Sequence, residues 1–126
     1  MQATKKDRGD CLNNVKIGNL VIPMKCNAAT DAYYEKIFGV SSIILQSGTD
    51  LPSGEMVDLF YKMGFVMAMQ AQHGPFSMNK LTRKNYYRWL NGFERSDYID
   101  AIWKIRLIYE GWSDSSIDEY EKMNGG

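Results

Sequence analysis

Apolar positions change their spacing along the chain, and each spacing predicts a different element. Near the start, Val15 and Ile17 precede Gly18-Asn19, and Leu20, Val21 and Ile22 follow. Gly-Asn between two apolar runs is the signal of a two-residue hairpin turn. Pro23 then belongs at an edge or strand end. In KCNAATDAYYEKIFG the spacing becomes helical, with Ala29, Tyr33 and Ile37 four apart. Asn27 is the expected cap, with Thr30 or Asp31 as other starts, and Gly39 supplies the left-handed residue that ends the helix. The apolar run 40–45 fits helix or strand, and Ser, Gly and Pro mark residues 47–54 as a loop.

The longest helical pattern is SGEMVDLFYKMGFVMAMQAQH, Ser53–His73, between Pro52 and Gly74-Pro75. Met56, Leu59, Phe60, Met63, Met67 and Gln70 fall on one face. Glu55, Asp58 and Lys62 lie opposite them in the first half. The second half is apolar all round, because Phe65 and Met69 occupy the far face and Val66 and Ala68 the flanks. A helix of that kind is covered on more than one side. Either it is the centre of a helical bundle, or its extra face receives another chain, to which flexible Met side chains adapt. Phe65, Val66 and Met69, with Phe76 beyond the helix, are the candidate partner or self-association surface.

Two shorter helices follow. Thr82 caps a stripe of Tyr86, Trp89, Leu90 and Phe93. Ser96 caps a second stripe of Tyr98, Ile102, Ile105 and Tyr109, which Ile99 and Trp103 broaden and Gly111 ends. The pattern therefore predicts a mainly α protein, one small helical domain of about four helices with a short N-terminal β-hairpin. Its expected core is Tyr33, Ile37, Phe60, Met63, Met67, Trp89, Leu90, Phe93, Ile102 and Ile105. The domain spans residues 12–112. Residues 1–11 are expected to be flexible. Residues 113–126 make an acidic, mobile tail that Ile117 and Tyr120 are able to dock.

Composition narrows the function classes. The chain has 126 residues, enough for one domain, and 44% of them are hydrophobic, which favours a folded core over disorder. Fifteen basic and fifteen acidic residues cancel, so net charge does not point to nucleic acid or an anionic membrane. No run approaches a transmembrane length, and the charged N-terminus lacks the apolar stretch of a secretion signal. Cys11 and Cys26 are too few for a disulfide framework; one optional bridge is possible, and thiols in a reducing cytoplasm are expected.

The chemistry expected of an enzyme is missing. The sole histidine, His73, lies at a helix end, where its charge suits the dipole. Cys11, Cys26 and His73 have no metal-ligand spacing, and there is no phosphate-cradling loop and no nucleophile elbow. The expectation is a non-enzyme without cofactor or metal. Residues 83–89, RKNYYRW, interleave basic and aromatic residues as a single-stranded nucleic-acid surface does. Yet Tyr86 and Trp89 belong to the apolar stripe, which leaves Tyr87 as the main exposed ring.

The order of the motifs carries one resemblance. Y-x-x-x-F-G at residues 34–39, F-V-M-A-M-Q at 65–70 and W-L-N-G-F at 89–93 follow the hairpin in turn. Across about residues 15–112 this resembles the tail assembly chaperones of long-tailed bacteriophages (siphoviruses) and prophages, in the short form common in Gram-positive hosts. The resemblance implies a protein that binds the tape measure protein, keeps it soluble and helps tail tube protein assemble around it. It implies self-association, a place in the host cytoplasm and absence from the mature virion. A longer form of the same protein, made by ribosomal frameshifting, is a further implied partner. The family brings no catalytic residues. The residues alone equally allow a small helical interaction or regulatory module that dimerises through the Met-rich helix.

Overall fold

The computed structural model describes residues 11–41, 53–73 and 78–111. It opens on an antiparallel hairpin, β1 (Cys11–Ile17) and β2 (Leu20–Cys26), whose register sets Ile17 opposite Leu20 and Cys11 opposite Cys26. Gly18 turns the chain at φ 62°, a conformation that costs glycine little. Both strands run further from the turn than their apolar residues predict. The reason is the inner face: Asn13, Val15, Ile17 and Met24 are all buried, so the pairing continues through residues that looked polar. Counted from the turn, Pro23 and Asn14 form a non-hydrogen-bonded pair. There the missing proline N–H costs no ladder bond.

Helix α1 (Thr30–Phe38) starts without a side-chain cap at Ala29. Asn27 acts upstream instead. Its Oδ1 accepts the Ala29 N–H at 2.9 Å, while Thr30 Oγ1 accepts the Asn27 N–H at 2.9 Å. Gly39 ends the helix at φ 80°, its N–H donating to the Glu35 carbonyl at 2.8 Å, as the pattern predicts. The buried face carries Tyr34, Ile37 and Phe38. Tyr33, expected in the core, is half-buried and packs against it. Adjacent tyrosines fit a helix stripe equally well, and the body of Tyr34 is the one that meets the Phe38 ring, at 5.0 Å.

Helix α2 (Ser53–His73) is the pillar of the molecule. Strand β2 and helices α1, α3 (Arg83–Leu90) and α4 (Arg95–Tyr109) all pack on it, and residues 63–70 are buried without a break. A 3-10 turn, Met78–Lys80, leads into α3. Thr82 caps α3 as expected, accepting the Asn85 N–H at 3.1 Å. Helix α4 begins at Arg95 with Glu94 in the cap position, two residues ahead of the expected cap Ser96, and without a side-chain cap bond. Gly111, at φ 99°, follows its last turn and donates to the Ile108 carbonyl at 3.0 Å. The architecture is thus mainly α: four α-helices among the described residues, with one two-stranded hairpin. Residues 42–45, Phe76 and both chain ends lie outside the described residues.

Candidate interaction groove

The expected partner surface on α2 is corrected. Phe65 and Val66 are 0% exposed and Met69 is 8% exposed. The Phe65 ring lies 5.6 Å from both Tyr86 and Trp89 of α3, so this chain itself covers the face that looked surplus. The apolar girdle of α2 answers to neighbours on every side.

Apolar surface is left open elsewhere. The first half of α2 and the outer flank of α4 enclose a groove of about 570 Å³. Met56, Val57 and Phe60 form one wall; Ile99, Ile102, Trp103 and Leu107 form the other. Phe60 is its floor, only 1% exposed, whereas Trp103 stands 39% exposed on the lip. Charges gather at one end, where Arg106 Nε pairs with Glu110 Oε2 at 3.0 Å. Lined this way, the groove can take large apolar side chains from another helix, and its rim offers one cation and one anion to polar flanks.

The groove exists because α4 is rotated relative to its expected stripe. Its buried residues are Tyr98, Ala101, Ile105 and Ile108. Ile102, expected in the core, is half-buried; it packs against the core and also forms groove wall. Large apolar residues cover more than half of the α4 circumference, so their spacing fits several orientations. The broadening by Ile99 and Trp103 was the sequence signal of a second apolar face. Met56 was readable as part of the α2 apolar face, whereas Val57 and Leu107 carried no mark.

Behind the groove, the remaining expected core residues sort clearly. Ile37, Phe60, Met63, Met67 and Ile105 are buried. Trp89, Leu90 and Phe93 are half-buried and packed against the core. Trp89 anchors an aromatic cluster, 5.0 Å from Phe93 and 5.4 Å from Tyr98 at a right angle. The Tyr98 hydroxyl donates to the Tyr61 carbonyl at 2.7 Å. Burial holds its phenol well above the ordinary tyrosine range, and Tyr86 is raised by burial first and by Asp58 second. Tyr34 is pushed up to about 12, again by burial and then by the Asp58 carboxylate. All three hydroxyls stay protonated through neutral pH, and that of Tyr98 works as a fixed donor.

A buried polar chain locks α1 to α2. The Thr30 hydroxyl donates to Gln70 Oε1 at 2.7 Å, and Gln70 Nε2 donates to Asn27 Oδ1 at 3.1 Å. Nearby, the Tyr109 hydroxyl donates to Asp31 Oδ1, joining α4 to α1.

The basic and aromatic cluster at residues 83–89 is partly engaged inside the fold. Arg83 Nε donates to the Ile37 carbonyl at 2.9 Å, and Arg83 Nη2 to the Phe38 carbonyl at 3.0 Å. Tyr86 is 3% exposed, while Tyr87 is 59% exposed. Among the described residues, no group of three or more His, Cys, Asp and Glu is placed to hold a metal ion, and no helix is long and apolar enough to cross a membrane. Comparison of the chain with family models, curated proteins and solved structures finds no match.

Proposed function

We propose that the protein is a non-enzymatic tail assembly chaperone of a long-tailed phage or prophage. In this reading it holds helical stretches of a tape measure protein in solution while tail tube protein assembles around them. It acts in the host cytoplasm and is left out of the finished virion. The motif order supports the family, and the groove between α2 and α4 is the observation that supports the activity. Amphipathic helices lay an apolar face into grooves of this kind. A tape measure protein presents long apolar stripes that lack their tube before assembly, and exposed stripes aggregate. Weak apolar contacts, repeated over several chaperone copies, suit such a partner better than one deep pocket does.

The test is co-expression with the candidate tape measure protein. Its soluble fraction should rise, and the two proteins should elute together, with only a modest loss at high salt. Trp103→Glu and Ile102→Glu should each reduce the rescue and leave the helical circular dichroism signal intact. No gain in solubility and no complex would sink the chaperone reading. Should the groove variants instead lower only the mass of the free protein in light scattering, the groove serves a dimerising interaction module.

A further inference from the structure

We propose that the groove between α2 and α4 has an occupant within the chain: residues 112–126 fold back from the end of α4 and seat an amphipathic helix in it. The point of attachment is at the groove itself. Glu110 caps α4 and lines one end of the groove, and Gly111 follows it at φ 99°. A left-handed residue just past a helix end turns the chain off the helix axis. Fifteen residues follow it in the sequence, WSDSSIDEYEKMNGG.

Those residues carry helix signals of their own. Ser116 with Glu119 three places on is a capping box, and Asn124-Gly125 is a stop. Between them Ile117, Tyr120 and Met123 recur at every third position, on one face of a helix. Asp118 and Lys122 fall on the opposite face, with Glu119 and Glu121 on the flanks. An apolar stripe with a charged back is the form of helix that lies in an apolar groove. The lengths agree as well. From Ile99 to Glu110 the groove wall runs about 16 Å along α4, at 1.5 Å per residue. A helix over residues 117–124 covers about 12 Å. Residues 110–116 make a connection of the length that joins neighbouring helices. In this arrangement Ile117 would meet Leu107, and Met123 would reach Trp103.

A tether makes weak contacts count. A short link holds the tail at an effective concentration on the order of millimolar, so a helix too weak to bind as a free peptide is seated most of the time. An outside partner has to displace it. A tail seated about nine-tenths of the time raises that partner's apparent Kd about tenfold. The tail would thus cover the groove until an amphipathic helix with stronger contacts arrives. That role rests on the proposed function of the groove; the seating itself needs no tape measure protein and is tested without it.

The full chain is footprinted with hydroxyl radicals, and oxidation of Met56 and Trp103 is read by mass spectrometry. The double variant Ile117→Asp, Tyr120→Asp should raise labelling at both residues several-fold and leave the exposed Tyr87 of α3 unchanged. Amide exchange at residues 117–124 should be about tenfold slower than in an unfolded chain, and Trp103→Glu should quicken it with the helical circular dichroism signal retained. Dilution should change neither reading. Protection lost on dilution would give the groove to a second copy and overturn the proposal. So would equal labelling of parent and double variant, or exchange at residues 117–124 as fast as in an unfolded chain. A seated tail without rescue of tape measure protein would remove the chaperone reading and leave this one standing.

Discussion

Gly64 stands where two α4 side chains, Tyr98 and Ile105, press on the backbone of α2. A β-carbon there would lie 2.5 Å from the Tyr98 hydroxyl and 3.0 Å from Ile105 Cδ1. In a free helix, replacing glycine by alanine gains up to about 1 kcal/mol. Here the added methyl has to push aside a tyrosine that is 1% exposed and bonded to the Tyr61 carbonyl. Overpacking costs about 1–3 kcal/mol, and a strained or broken buried hydrogen bond adds to it. Gly64→Ala should therefore be less stable, by about 1–3 kcal/mol in urea titration, although alanine is the better helix former. A variant as stable as the parent would mean that the two helices can part without loss. A glycine in the middle of so apolar a helix was visible from the sequence, but the partner that makes it necessary, Tyr98, was not. The same holds for Gln70. Its place on the apolar face was readable, while its bonds to Thr30 and Asn27 join residues about forty positions apart.

At the scale of elements, the readable parts were those governed by local chemistry. Gly18-Asn19, Gly39, Thr82 and Gly111 each act within a few residues of chain, and each does what its type predicts. Faces were harder. The α1 and α4 stripes were each placed one position or so from the buried side, because neighbouring large residues satisfy the same periodicity. For Phe65, Val66 and Met69 the sequence left a partner surface and a bundle centre open, because it does not reveal that Tyr86 and Trp89 of α3 meet Phe65. Arg83 shows another long-range link. Its fork closes the C-terminal end of α1 by meeting two carbonyls that the helix leaves unpaired. Arg83→Ala should lower stability by about 1 kcal/mol, the modest end expected for an exposed charged donor. Lysine should restore little of it, since a single ammonium lacks the fork. Equal melting temperatures for all three proteins would remove the clasp from the account.

The whole molecule should answer to alkali in a particular window. Tyr34, Tyr86 and Tyr98 are each 3% exposed or less, and all three hold their protons more tightly than a free phenol does. An unfolded tyrosine titrates near pH 10. A folded pKa raised above that value means that the stabilising contribution is complete below about pH 10 and is lost as pH climbs beyond it. Each such tyrosine adds a slope of up to about 1.4 kcal/mol per pH unit above that point. The urea midpoint should hold steady to about pH 9 and fall steeply by about pH 11, with Tyr98→Phe flattening the descent. A flat midpoint across that range would contradict the burial of all three rings.

The packing of the hairpin against the last helix has a consequence for how the protein is made. Strand β1 rests on α4, and the Cys26 thiol meets a carbonyl near the end of that helix. On the ribosome the strands emerge before the helix that completes their shelter. The hairpin's inner face, with Val15, Ile17 and Met24, must wait uncovered while most of the described chain is still being translated. A two-stranded hairpin alone is only marginally stable in water. Tertiary structure that involves the hairpin therefore waits for α4 to be made, and during that wait the apolar strands are open to the cell's general holding machinery.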